Sequence, residues 1–503
     1  MNLSQPARGI SFGYLKEDLP AGLVVFLVAL PLCLGIALAS GAPLFSGIIA
    51  GIVGGIIVAF ASGSALSVSG PAAGLTVIVL NGITTLGSYD HFLVAVAIAG
   101  ILQIILGYLK AGVIGYYFPS SVIKGMLAAI GIILILKQIP VAIGVNKTAN
   151  ISYHYGSIFI AAFSIAILLF WELPALKKYS FFKFVPGALI AVLTGVALNA
   201  LFKVYQPEWA LTANALVTLP VAKNSNEFFG QFTLPNFAAL GNYQVYVIAV
   251  TIAIIASIET LLSTEAADKL DPYKRVTPSN RELKAQGLGN LISGLIGGLP
   301  MTAVIVRTSA NVNAGARTKL SAIFHGLLLL ISVVAFASLL NQIPLACLAA
   351  VLLVVGYKLA KLSLFKEMYQ LGWEQFVPFM VTIIAIQFSD LLKGIALGML
   401  VAVFYILRNN FRRDYKIHHA KIADGGAITI KLAEQVTFIN KGSIAKKLSE
   451  IPNGTKVIID ASQSHYIDLD VIEIIHNFNA TANLKNIDLQ LVNLPERAKS
   501  AGH

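Results

Sequence analysis

The sequence predicts an all-α polytopic membrane protein of fourteen transmembrane segments, followed by a small α/β domain. Three observations carry that prediction: a composition too apolar for a water-exposed surface, apolar runs of spanning length that recur along most of the chain, and a switch to alternating apolar and polar residues near the C-terminus. Of 503 residues, 57% are hydrophobic and 12% charged, whereas a soluble domain ordinarily carries about 25% charged residues. The 42 glycines suit helices packed closely in lipid.

A helix needs about 20 mostly apolar residues to cross a bilayer, and such runs recur from Leu19 to about Arg408. Read against breakers, the first half gives segments near 20–38, 45–61, 71–86, 91–109, 120–137, 153–172 and 184–203. The second half gives 244–264, 282–297, 302–313, 318–339, 342–358, 375–390 and 392–408. The segments near 71 and 302 are short for full spans. Met1–Glu17 is polar and lacks the apolar core of a cleavable leader.

Charge supplies a separate test of the count. The net charge of +12 raises the question of nucleic acid, but the basic residues sit mostly in loops between apolar runs. They therefore report topology, and no nucleic-acid partner is expected. Cytoplasmic loops are rich in Lys and Arg. The flank from Arg408 to Arg413 is strongly basic, as are Lys177–Lys178, Lys269–Lys284 and Lys358–Lys366, whereas the long loop 204–243 is weakly charged. These assignments put both termini inside and require an even number of spans; twelve would satisfy the same test.

Around Asp414 the pattern changes. Ala427–Ile430 and Lys456–Asp460 read as strands, and Ile444–Leu448 and Val471–Phe478 as short helices. The expected organisation is an N-terminal segment at 1–19, a transmembrane domain at 20–411 and a separate α/β domain at 412–503.

The third and tenth segments point to a site. Transporters built from inverted repeats place their sites near the midplane, where short or Gly/Pro-interrupted helices in matching positions direct their ends at the substrate. The third segment opens with Ser67-Val68-Ser69-Gly70-Pro71-Ala72-Ala73-Gly74, the tenth with Gly297-Gly298-Leu299-Pro300-Met301-Thr302-Ala303. Free N–H groups and the helix dipole make each such start a ready anion site. The candidate substrate-binding residues are Ser69, Gly70, Ala72 and Ala73 from the third segment and Met301, Thr302, Ala303, Val304, Ile305 and Arg307 from the tenth. For one segment alone, Gly-Pro is ordinary punctuation before a helix; the pairing across the two halves gives it meaning.

Charged residues inside spans are costly and usually functional. Glu259 lies well within the eighth segment and Arg307 within the tenth. A carboxylate there suits a driving Na⁺ or H⁺, and an Arg suits an anion or a positive potential near it. A structural Glu259–Arg307 pair is the alternative, and a pair that loosens during transport would satisfy both. Lys137 ends the fifth segment and reads as snorkelling. Asp390 and Lys393 read as turn residues, and Glu265 and Asp268 as solvated groups at the inner end of the eighth segment, with a gate or cap role as the alternative. Cys33 and Cys347 lie in apolar segments and read as packing residues. The eight histidines show no metal-ligand spacing, and His418-His419 falls in the basic linker. No His/Ser/Asp or metal constellation in the spans points to an enzyme, and no cofactor is expected beyond a coupling ion.

These residues resemble the SulP/SLC26 family of anion transporters over nearly the full chain. Ser69-Gly70-Pro71 resembles that family's third-helix entry, and the run from Arg307 to Thr318 resembles its signature after the start of the tenth helix. The C-terminal domain is similar to a STAS domain, with Val457–Asp460 as central strand. The resemblance implies a seven-plus-seven inverted repeat with core and gate domains, elevator-like movement of the core, and a homodimer in the inner membrane of a bacterial cell, its lipids around it. It implies transport of sulfate, bicarbonate or a related anion, with Glu259 and Ser263 in the places where bicarbonate-carrying members use an acidic residue and a hydroxyl for Na⁺. Two departures bear on the substrate. Ala29-Leu30-Pro31-Leu32 lacks the glutamines that flank the first-helix proline in many members, and Val304-Ile305-Val306 replaces small or hydroxyl residues. Both shift weight from side chains to backbone groups. Ile467-Asp468-Leu469-Asp470 also lacks the serine that regulatory STAS domains phosphorylate, which favours dimerisation or scaffolding over a phosphoswitch.

Two other functions fit the same fold. A nucleobase carrier of related architecture would typically place carboxylates on both helices eight and ten, and Arg307 argues against it. An uncoupled channel, or a sensor signalling through the STAS-like domain, differs by its flux.

Overall fold

The computed structural model describes residues 11–145, 153–179, 181–182, 185–221, 224–389, 391–412, 415–420 and 427–495. Asp390, Arg413, Asp414 and the first ten residues lie outside them.

Fourteen helices follow the fourteen apolar runs. The first seven are α1 (Leu15–Ala39), α2 (Leu44–Ala61), α3 (Thr76–Leu86), α4 (Tyr89–Tyr108), α5 (Ser120–Ala142), α6 (Tyr155–Trp171) and α7 (Gly187–Tyr205). The second seven are α8 (Tyr243–Leu270), α9 (Ser279–Leu295), α10 (Ile305–Asn313), α11 (Leu320–Leu340), α12 (Leu345–Leu359), α13 (Trp373–Phe388) and α14 (Leu391–Arg412). Among the described residues nine helices are long and apolar enough to cross a membrane, and α6, α13 and the stretch Ala73–Leu86 are shorter apolar helices. Large apolar side chains such as Leu136, Leu169, Leu201, Val334 and Leu400 stand more than half exposed, as lipid-facing residues must.

Two elements differ from the sequence reading. The third and tenth segments do not begin as helices at 71 and 302. Ser69–Pro71 forms a strand, β1, and Met301–Ala303 forms β2, which pair antiparallel in the register Ser69↔Ala303, Gly70↔Thr302 and Pro71↔Met301. The cause is local and non-local together. A residue before proline is pushed to extended backbone, and extended backbone at membrane depth must find hydrogen bonds within the protein. Antiparallel pairing of matching elements is what an inverted seven-plus-seven repeat produces at its pseudo-two-fold axis.

The second difference is α9, expected as an apolar span over 282–297. One of its faces is polar and fully buried: Glu282, Gln286, Asn290 and Ser293 are each 0% exposed. Spacings of four, four and three put them in one row, turned into the protein against α2, β1 and β2.

The chain divides into two compact units, 1–397 and 398–503, with the division inside α14. In the second unit, β3 (Tyr415–Ala420), β4 (Ala427–Leu432), β6 (Lys456–Asp460) and β8 (Asp488–Val492) form one sheet in that order, while β5 (Gln435–Val436) pairs with β7 (Tyr466–Ile467). β3 runs antiparallel to β4, and β4, β6 and β8 are parallel. The expected central strand is thus internal to the sheet, and His418-His419 belongs to β3. Helices α15 (Lys441–Ser449) and α16 (Leu469–Leu484) complete the unit, whose core centres on Val436, Val457, Val471 and Ile475. This is the small α/β domain expected.

Candidate functional site

The two broken entries bring two helix starts to one cavity. Before α3, residues Ala73–Leu75 form a single 3₁₀ turn with Ala72 extended at its head; before α10, Val304 is extended. Neither start carries a side-chain cap. A helix start leaves its first N–H groups without intrahelical partners, and Ala72, Ala73, Val304 and Ile305 have no polar side chain with which to satisfy them. The Val304 N–H is taken by the Val68 C=O at 2.9 Å, so the donors left for a ligand are those of Ala73 and of Ile305 onward, together with the positive ends of two dipoles.

The cavity, of about 240 Å³, is lined by Ala73 and Gly74 from the first start and by Val304, Ile305 and Val306 from the second. Glu259, Leu262, Ser263 and Ala266 come from α8, Met126 and Leu127 from α5, Val355 and Leu359 from α12. Its walls are mostly apolar, so polar interaction concentrates on backbone and on Glu259 and Ser263. A second cavity of about 230 Å³ shares Val306 and Val355 with the first and reaches Glu172 and Lys358, which pair at 2.6 Å.

Glu259 packs against the start of α3. A Cβ on Gly74 would lie 2.6 and 2.7 Å from its two carboxylate oxygens, and the Gly74 N–H is the backbone donor facing it. Its Oε2 is buried with no hydrogen-bond partner. Ser263 is one helical turn further along α8, on the same face.

Of the sequence-predicted residues, Ala73, Val304, Ile305, Glu259 and Ser263 meet at the cavity. Ala72 is buried just before it. Ser69, Gly70, Met301, Thr302 and Ala303 belong to the paired strands, in the packed layer that carries both starts. Arg307 is elsewhere. It is fully buried and not among the cavity-lining residues. Its Nη2 donates to Cys33 Sγ at 3.3 Å, and its Nη1 occupies the space that a Cβ on Gly70 would need. Neither Nε nor Nη1 has a hydrogen-bond partner. Arg307 and Glu259 form no ion pair, so the structural-pair alternative is not realised. The direction follows from helix rotation: two residues past Ile305 on α10, residue 307 faces α1 and β1 instead of α8.

The sequence reading missed the wall opposite the helix starts, Met126, Leu127, Val355 and Leu359, because apolar residues in spans carry no mark of what they face. It also missed the buried row on α9, whose spacing was visible.

The chain is similar to named transporters across its length. YvdB of Bacillus subtilis, named as a candidate sulfate transporter, is 27% identical over 521 residues, covering 100% of this chain and 96% of the relative. The bicarbonate transporter BicA of Picosynechococcus sp. is 28% identical over 442 residues, covering 84% of this chain and 75% of BicA. In architecture it is similar to the murine Solute Carrier 26 family member A9 anion transporter in the inward-facing state, with a TM-score of 0.79 at 18% identity, over 97% of this chain and 87% of that one. A model of the sulfate permease family matches residues 15–382. With a helix on each of the fourteen expected segments, paired broken entries and that match over most of its length, the chain belongs to the sulfate permease family.

Proposed function

We propose that this protein is a secondary active carrier of a small inorganic anion, sulfate or bicarbonate, in a bacterial inner membrane. The observation that carries the reading is the meeting of two uncapped helix starts, Ala73–Gly74 and Val304–Ile305, at one cavity with Glu259 and Ser263 on its wall. Backbone donors fixed in place suit an anion, because they need no counter-charge that must itself be desolvated. Among its relatives, BicA is named for bicarbonate transport and YvdB as a candidate for sulfate transport.

Glu259 argues for coupling. Two like charges at about 4 Å repel by about 4 kcal/mol at an effective dielectric of 20, so an anion entering beside a charged Glu259 brings a cation with it. Glu259 and Ser263 are the groups we assign to that cation, Na⁺ or H⁺. The other assigned ligand groups are the backbone at Ala73 and Ile305; Val304 lines the cavity while its own N–H is held by the Val68 C=O. Ser69, Gly70, Ala72, Met301, Thr302 and Ala303 support them, and Arg307 contributes fixed positive charge behind β1. Movement of the helices carrying both starts against α5 and α12 would expose the cavity alternately, as in an elevator. The basic loops favour cytoplasmic termini, and by family resemblance the working form is a homodimer.

The test is uptake of labelled sulfate and bicarbonate into proteoliposomes under imposed Na⁺ and proton gradients. Saturable, gradient-driven uptake of one of them is expected, with no competition from uracil or xanthine. No uptake of any oxyanion or halide under every gradient overturns the reading, and flux far above carrier rates reassigns the protein as a channel.

A further inference from the structure

Non-helical backbone at membrane depth persists only where its N–H and C=O groups find partners inside the protein. β1 and β2 satisfy one edge of each other, and among the described residues β2 has no third strand on its other side. Asn290 of α9 takes that place. Its Oδ1 accepts from the Met301 N–H at 2.7 Å and its Nδ2 donates to the Met301 C=O at 3.1 Å, the two-bond exchange that a neighbouring antiparallel strand makes with one residue. The amide is itself oriented, because Nδ2 also donates to Gln103 Oε1 at 2.6 Å, while Gln103 Nε2 donates to Ser257 Oγ at 3.3 Å.

The rest of the buried row works in the same direction. Gln286 Nε2 donates to Ser69 Oγ at 2.5 Å, and Ser293 Oγ donates to the Leu299 C=O at 2.7 Å. From α8, Thr260 Oγ1 accepts from the Ala303 N–H at 3.3 Å. The support itself is rigid: α9 lies so close to α4 that a Cβ on Gly287 would stand 2.6 Å from the Gly100 carbonyl oxygen. Nor is there slack between Met301 and the site, since the Val304 N–H donates to the Val68 C=O at 2.9 Å.

Resting on the carrier reading above, we propose that Asn290 is a positioning residue for the anion site: by clamping both backbone groups of Met301 it sets the separation between the starts of α10 and α3, and with it which anion the site prefers. Hydrogen bonds weaken over a few tenths of an ångström, so a small displacement of Val304–Ile305 changes the fit of an oxyanion differently from that of a smaller or flatter one.

The test measures half-saturating concentration and maximal rate of proteoliposome uptake, separately for sulfate and bicarbonate, on protein that is monodisperse by gel filtration. Asn290→Ala removes both bonds to Met301. Asn290→Asp keeps the acceptor but sets a carboxylate against the Met301 and Gln103 oxygens. Gln103→Ala leaves Asn290 in place and frees its amide to turn. The expected result for Asn290→Ala is a half-saturating concentration raised by about tenfold, the scale of one good hydrogen bond, a smaller change in maximal rate, and an altered sulfate-to-bicarbonate ratio. Gln103→Ala shifts the same quantities less, and Asn290→Asp is decisive if the alanine variant is not monodisperse. Wild-type half-saturation and wild-type anion ratio in a monodisperse Asn290 variant, or a fall in maximal rate alone, overturns the positioning role. Wild-type protein that takes up neither anion overturns the carrier reading, and this inference with it.

Discussion

The carboxylate of Glu259 lies against the backbone of Gly74, near enough that no side chain fits at residue 74 without displacing it. α8 and the start of α3 meet at that carboxylate. Gly74→Ala is therefore expected to push Glu259 aside and lower uptake at least about tenfold, roughly 1.4 kcal/mol of lost stabilisation, in protein that still elutes as a single species. Uptake assays paired with gel filtration check it; normal transport by Gly74→Ala would show that the contact is dispensable.

Glu259→Gln keeps the shape and removes the charge. If the carboxylate is what obliges a cation to accompany the anion, the neutral variant should lose its dependence on Na⁺ or proton gradients while anion exchange survives. Flux measured across a series of imposed gradients decides it, and an unchanged gradient dependence removes Glu259 from the coupling role.

Gly70→Ala places a methyl group where Nη1 of Arg307 now sits. Overpacking of this kind costs about 1–3 kcal/mol, seen as a lower melting temperature in detergent. The double variant Gly70→Ala/Arg307→Ala should recover part of that loss, since residues in contact are not additive. Strict additivity would mean that the two do not meet.

Asp18 of α1 accepts hydrogen bonds from the N–H of Arg317 at 2.7 Å, from the N–H of Thr318 at 3.0 Å, and from the Thr318 hydroxyl. Asp18→Asn leaves at least one of these buried donors poorly matched, a loss of about 1–3 kcal/mol. Thermal unfolding should report it. The half-saturating anion concentration should stay put, because Asp18 is not among the cavity-lining residues.

How much of this was legible depended on what kind of constraint each part obeys. The fourteen helices were legible because a bilayer fixes the length of an apolar run. The residues of α8 and of the two helix starts were legible because a charge within a span and a break in matching positions both stand out. β1 and β2 were not, since three-residue strands have no periodicity of their own and exist only through each other. The destination of Arg307 was hidden by geometry: on a nine-residue helix a rotation of one position turns a side chain from the cavity toward Cys33. The polar row of α9 is legible in the sequence. Glu282, Gln286, Asn290 and Ser293 at helical spacing in a span mark a face that cannot touch lipid, and so mark a buried partner of unusual polarity.

The pairing of Ser69–Pro71 with Met301–Ala303 also bears on how the protein is made. Val68 and Thr308, which bond at its end, are 240 residues apart. While the first seven helices enter the bilayer, the extended stretch before α3 has no partner, and unpaired backbone in hydrocarbon costs several kcal/mol per group. The first half of the chain therefore cannot settle its third segment alone. Its backbone partners lie in β2, so the layer that carries both helix starts closes only when the two halves of the chain are together.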